Sequence, residues 1–199
     1  MSILSIPLFP LNTVLFPGGP LSLRIFEPRY LDMVSHCLKT DSALGVCLIQ
    51  DGKEAGTAAV PHSIGTLARI IDWDKLPEGL LGIVVLGSHR FTLESTEIGS
   101  NQLVSGTVKV LPEPTPEDLP PELDLLPRLL EQIITEAGPR YDSIDRNFDD
   151  TNWIGYRLAE ILPLEPLIRQ RLLEIDDSVE RLRKIRSCIE VYLDGDSEE

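Results

Sequence analysis

The chain has 199 residues, 42% of them apolar and 25% charged, with a formal net charge of −14 at pH 7. That length and apolar content supply one or two hydrophobic cores. No run reaches the roughly 18 consecutive apolar residues of a membrane span, and the opening MSILSIPLFP lacks the basic flank of a secretory leader.

The acidity is lopsided. Residues 1–110 carry 8 Lys+Arg against 10 Asp+Glu, whereas residues 111–199 carry 10 against 22. Such an acidic half repels phosphate backbones and anionic lipid, so neither nucleic acid nor a membrane is expected as a partner. Cys37, Cys47 and Cys188 are odd in number and scattered, which points to reduced thiols in a cytoplasmic protein rather than to a disulfide framework.

Residues 1–111 read as mostly β. In 21–26, Leu21, Leu23 and Ile25 alternate with Ser22, Arg24 and Phe26, which gives a strand with two distinct faces and puts Phe26 opposite the apolar one. One helix follows over 28–39: Tyr30, Met33, Val34, Cys37 and Leu38 form its apolar stripe, Arg29, Asp32, Ser35 and Lys39 face out, and Pro28 occupies the first helical position. Further strands are expected at 43–49, 65–71, 80–86, 90–96 and 103–111, with DGKEAG, DWDKLPEG, GSH and GSN as the gaps between them. Short strands at this spacing suggest a sandwich or a partly closed barrel.

At 112–122, PEPTPEDLPPE holds five prolines and predicts a stiff, extended connection at a domain boundary. Beyond it the period changes to that of helices. Stripes at Leu126–Ala137, Ile154–Leu162, Leu164–Ile175 and Val179–Leu193 predict four helices, the first stopped by Gly138-Pro139 and the last opened by an Asp177-Ser178 cap. Amphipathic helices of this kind must bury their stripes together, so 123–193 is expected to form a small helical bundle. Residues 194–199, DGDSEE, are expected to be a disordered acidic tail.

Catalytic patterns are not found. The sequence has neither GxxxxGK[ST] nor GxSxG, and its histidines, His36, His62 and His89, show no ligand spacing with the cysteines. No catalytic residue, metal site or cofactor is assigned. Glu27 admits two readings: a general acid or base, or a structural group that caps the helix at 28–39 or pairs with Arg24 or Arg29. With no second positioned carboxylate or histidine beside it, the structural reading is preferred.

The stretch IPLFPLNTVLFPGGPLSLRIFEPRYLDMV resembles the opening of the N-terminal domain of Lon-type ATP-dependent proteases. Its elements are Pro7–Leu11 with Pro10, then Phe16, Pro17 and Gly18, then Ile25–Tyr30. Later matches are GVCLI at 45–49, GTLARI at 65–70, Arg90-Phe91 after Gly87, and LPLEPLIRQRLLEIDDSVERL at 162–182. The resemblance implies an α+β fold: an N-terminal β-rich, PUA-like pseudo-barrel with one helix, followed by a C-terminal helical bundle. It further implies a free-standing, non-catalytic member of the substrate-binding family, without the ATPase and peptidase domains. The resemblance implies Phe16, Arg24, Phe26, Glu27, Arg29, Tyr30 and Arg90 as signature residues and candidate binding residues, with Pro28 also part of the signature.

The function expected is recognition of unfolded or client polypeptides through exposed apolar segments, in concert with a protease or chaperone, by a monomer or weak dimer. Two alternatives stay open. One is a small-molecule binder or enzyme using a cleft between the two parts, where Trp73, Asp74 and Trp153 are candidate lining residues. The other is an adaptor that docks a partner through its acidic helical half.

Overall fold

The computed structural model describes residues 2–137 and 146–195. It divides into two compact units, Met1–Glu113 and Pro114–Glu199. The fold is mixed, with a mostly antiparallel sheet in the first unit and helices dominating the second.

The first unit runs β1 (Ile3–Leu11), β2 (Pro20–Ile25), α1 (Pro28–Thr40), β3 (Leu44–Asp51), β4 (Val60–Pro61), β5 (Ile64–Lys75), β6 (Leu81–Ile98) and β7 (Val104–Val110). The sheet order β1-β7-β6-β5-β3 returns to β1 through a parallel β1–β3 pairing, so these strands close on themselves. β2 lies off this circuit and, among the described residues, pairs with the first part of β6 alone.

Strand alternation feeds a core on each face of the closed sheet. Ile6, Leu8, Cys47, Leu67, Phe91 and Val108 fill one, while Phe9, Leu11, Val46, Ala68, Ile83 and Val85 meet α1 in the other. Phe91 fits because glycines lie against it: a Cβ on Gly45 would come 2.9 Å from its Cζ, and one on Gly65 would come 2.7 Å from it.

Several expectations are corrected here. The segments 80–86 and 90–96 are one strand, β6, which passes straight through Gly87-Ser88-His89. Gly87 serves close approach rather than a turn. A Cβ there would lie 2.4 Å from the Phe16 carbonyl oxygen, and its backbone exchanges hydrogen bonds of 2.9 Å with Gly18 and Gly19. β1 contains Pro7 and Pro10, residues that argue against a strand in a local reading of the sequence. It changes neighbour at that point, pairing with β7 through Pro7 and with β3 from Leu8 onward, and a residue without an N–H is tolerated where one strand edge loses its partner. In α1, Leu38 is exposed and Arg29, expected to face out, is buried.

The second unit contains α2 (Leu125–Ala137), α3 (Thr151–Ile161), α4 (Pro166–Glu174) and α5 (Ser178–Gly195). α3 packs against each of the other helices of this unit and buries residues around most of its circumference. Asp150 Oδ1 caps it, accepting the N–H groups of Asn152 at 2.8 Å and Trp153 at 3.4 Å. Asp177 does the same for α5, accepting the Glu180 N–H at 2.8 Å.

The proline-rich stretch is extended but not detached. Asn152 Nδ2 donates to the Pro114 carbonyl at 3.0 Å, and Thr151 Oγ1 accepts the Glu117 N–H at 3.2 Å, so it is bound to α3. The Gly138-Pro139 stop lies outside the described residues. α5 continues through Asp194 and Gly195, into the stretch expected to be disordered, and 196–199 lie outside the described residues.

Candidate functional site

The corner between β2 and α1 is built by the FEPRY signature. Glu27 takes the N-cap position with extended backbone, and its carbonyl receives the N–H groups of Tyr30 and Leu31, both at 3.0 Å, but its side chain does not cap. That carboxylate turns instead to Arg29, 3.1 Å away, and accepts the Gly56 N–H at 3.3 Å.

Arg29, only 4% exposed, reaches three segments of chain. Nη1 donates to the Gln102 carbonyl at 2.7 Å, and Nη2 donates to the Glu54 carbonyl at 3.2 Å and to Glu27. Two further bonds complete the clamp: Ala58 N–H to Gln102 Oε1 at 3.2 Å, and Asn12 N–H to Glu54 Oε1 at 2.5 Å. A planar guanidinium suits this task because its donors fan out in fixed directions. Both Glu27 oxygens are engaged in the clamp, Oε1 with Arg29 and Oε2 with the Gly56 N–H.

Beside the clamp lies a groove of about 160 Å³ whose lining includes Phe9, Leu11, Leu23, Ile25, Phe26 and Tyr30 together with Glu27 and Glu54. Tyr30 stacks on Phe9 with centroids 4.2 Å apart, and burial raises its phenol above the ordinary value, partly opposed by Arg29. Phe26 is 62% exposed. A second depression of about 260 Å³ shares Ser22, Leu23 and Arg24 with the first and adds Asp72, Trp73, Asp74, Leu76 and Gly82.

The remaining candidates are placed as follows. Arg24 is exposed and lines both depressions, whereas Phe16 and Arg90 are buried in the first unit. Trp73 and Asp74 line the larger depression; Trp153 belongs to the second unit, edge-on to Phe148 at 5.1 Å. Cys37 and Cys47 are buried, and burial pushes the Cys47 thiol up to about 12. Among the described residues no three His, Cys, Asp or Glu side chains gather into a metal site, and no helix is long and apolar enough to cross a membrane.

Sequence reasoning missed Glu54 and Gln102, the distant ends of the clamp, and Arg181 in the helical unit. Arg181 is fully buried: Nε donates to the Leu172 carbonyl at 3.1 Å, Nη1 to Asn152 Oδ1 at 3.2 Å, and Nη2 to the Ile175 carbonyl, with the guanidinium 4.2 Å over the Tyr156 ring. Its place in the SVERL segment of the signature was the available signal.

The first unit is a closed, mostly antiparallel sheet tied by the FEPRY clamp, and the second unit is helical, the architecture of a mixed α/β domain. The sequence matches the ATP-dependent protease La (LON) substrate-binding domain over residues 5–190, and the chain belongs to that family. It is 26% identical over 185 residues to the Lon protease of Cytophaga hutchinsonii and 28% identical over 192 residues to that of Parabacteroides distasonis. These alignments cover 88% and 91% of this chain but 23% of each relative, so the chain spans about a quarter of their length.

Among solved structures, the crystal structure of a Lon N-terminal domain protein from Xanthomonas campestris is similar, with a TM-score of 0.78 and 38% identity over 92% of this chain and 98% of that one. The N-terminal domain of the Mycobacterium avium complex Lon protease shares the fold at a TM-score of 0.65 and 19% identity, covering 91% of this chain and 95% of that one.

Proposed function

We propose that the protein is a non-catalytic polypeptide-recognition module that binds exposed apolar segments of unfolded chains, and that the contact is made by the β unit, of PUA-like type. The observation that carries this reading is Phe26: a large aromatic, 62% exposed, lining a groove with Phe9, Leu11, Ile25 and Tyr30. An aromatic held in water beside an apolar groove is an anchor of the kind that concentrates binding energy. Family membership points the same way. Partners in this reading are client polypeptides and a protease or chaperone that receives them, in the cytoplasm, with the protein acting as a monomer or weak dimer and no nucleic acid involved.

The test compares binding of the protein to ribonuclease A in its folded form and in its reduced, carbamidomethylated, permanently unfolded form. The two forms carry the same ionisable side chains apart from blocked thiols, so a preference reports exposure of apolar segments rather than charge. Preference for the unfolded form, weakened about tenfold by Phe26→Ala, is expected. Equal binding of both forms overturns the reading.

The larger depression sustains a second reading, a small-molecule site, because Trp73 is 60% exposed there between Asp72 and Asp74. A metabolite that raises Tm of wild type but not of Trp73→Ala would favour it.

A further inference from the structure

Resting on the polypeptide-recognition reading, we infer that the outer edge of β2 is the docking line, and that a client segment adds there as an extended strand through its backbone.

The inference starts from the register of a three-stranded section, β5–β6–β2. β2 pairs with β6 from Pro20↔Leu86 to Ile25↔Leu81, and the same register continues into Gly19, whose carbonyl accepts the Gly87 N–H at 2.9 Å. In an antiparallel ladder, residues that exchange bonds with the neighbour alternate with residues whose backbone groups turn away from it. Gly19 therefore places Leu21, Leu23 and Ile25 on the bonded side. Ser22 and Arg24 turn their N–H and C=O groups outward, and Pro20 turns a carbonyl outward with no N–H.

The two edges of this section are treated differently. On the β5 side, the outward N–H of Trp73 is taken by Asp72 Oδ1 at 2.9 Å, and that of Lys75 by Asp74 Oδ1 at 2.7 Å. Aspartates thus blunt that edge locally, as sheets commonly do to avoid unwanted pairing. On the β2 side no strand pairs beyond it among the described residues, and both Ser22 and Arg24 are exposed. The protein caps one edge and leaves the other open, beside the groove that holds Phe26.

Side-chain alternation then sets the chemistry of the occupant. Leu21 and Leu23 face the core that contains Phe9, Leu11 and Tyr30, so an added strand would direct every second side chain toward that apolar groove. Its other side chains would lie on the face of Arg24, where Asp72 and Asp74 outnumber the single cation. The occupant is an extended polypeptide in which apolar residues alternate with neutral or basic ones. A second copy of this chain fits less well, since it would bring Glu27, Glu54, Asp72 and Asp74 of one molecule against their equivalents in another.

The experiment uses the whole protein and unfolded, carbamidomethylated ribonuclease A as probe. Ser22→Pro removes one outward N–H while leaving the β6 ladder its donors, and proline is accepted on a strand edge that faces solvent. Expected are an affinity loss of tenfold or more for Ser22→Pro, a change of under about twofold for Ser22→Ala, and circular dichroism unchanged in both. Amide exchange of the wild type is followed in parallel and needs no variant: the Ser22 and Arg24 amides exchange quickly in the free protein and slow at least tenfold when the probe is bound.

If the wild type prefers the unfolded probe but those amides are not protected and Ser22→Pro binds normally, the edge inference is overturned and the recognition reading stands. If the wild type shows no preference for unfolded chain, the reading itself fails and the edge falls with it. If sedimentation gives a dimer that Ser22→Pro dissociates, the occupant is a second copy, which also overturns the inference.

Discussion

Arg29 Nη1 donates to the carbonyl of Gln102 at 2.7 Å, joining the first turn of α1 to the β6–β7 hairpin across 73 positions of sequence. The same guanidinium holds the Glu54 carbonyl and the Glu27 carboxylate, so one side chain ties the wall of the groove to two loops. Removing one member of a buried charged pair leaves the other without compensation, which typically costs about 3 kcal/mol. Arg29→Met should lower stability by that order in urea titrations. Arg29→Lys should restore little of it, because an ammonium is compact and cannot span partners lying in different directions. An unchanged denaturation midpoint in Arg29→Met would show that the clamp does not hold the fold.

Gly65 should not tolerate even a methyl group. A Cβ there would stand 2.5 Å from the Val46 carbonyl oxygen and 2.7 Å from both Cys47 Sγ and Phe91 Cζ. The nearest of these is backbone in a paired strand and cannot rotate aside. Gly65→Ala is expected to cost about 3 kcal/mol, with the loss smaller when Phe91→Leu is introduced in the same chain. Thermal unfolding of the single and double variants gives the comparison.

Alkaline pH should destabilise the β unit through Cys47, whose thiol burial raises from 9.0 to about 12. Between those values the unfolded chain loses this proton while the folded one keeps it. Stability therefore falls as pH rises, by about 1.4 kcal/mol per pH unit from this group. Tyr30, also raised by burial, adds loss of the same sign above its ordinary value of 10.0. Urea midpoints measured from pH 8 to 11 should drop more steeply for wild type than for Cys47→Ala.

Arg181 should matter to the helical unit as Arg29 does to the sheet. It binds the carbonyls at the end of α4 and Asn152 on α3 from a position on α5. Arg181→Ala leaves those acceptors buried without their donor, and a loss of about 3 to 5 kcal/mol is expected. Limited proteolysis should then cut preferentially within Pro114–Gly195, with residues 2–113 protected. Uniform cleavage along the chain would contradict a separate role for this residue.

Much of this architecture is legible in the sequence, and the exceptions have physical causes. Alternation in PLSLRIF put Phe26 on the face away from Leu23 and Ile25, and it is exposed. Helical period recovered Tyr30, Met33, Val34 and Cys37 but misplaced Arg29, because a period assigns faces by polarity and a guanidinium can be buried when enough acceptors surround it. Gly87 read as punctuation because a glycine needed for close approach is identical in sequence to one needed for a turn. Glu54 and Gln102 were invisible for a different reason. Their link to Arg29 is a contact between distant segments, and local pattern carries no information about which loops meet.

The pairing of β1 has a consequence for how the protein is made. β1 completes the circuit only with β3 at Leu44–Asp51 and β7 at Val104–Val110, so it is synthesised about a hundred positions ahead of its last neighbour. At translation speeds of roughly 5–20 residues per second, that leaves an interval of about 5–20 s between the two strands. Through that wait Ile6, Leu8, Phe9 and Leu11 are without the core that later covers them. While on the ribosome the domain is itself an unfolded chain with an apolar strand on offer, and it stays so until Val110 emerges.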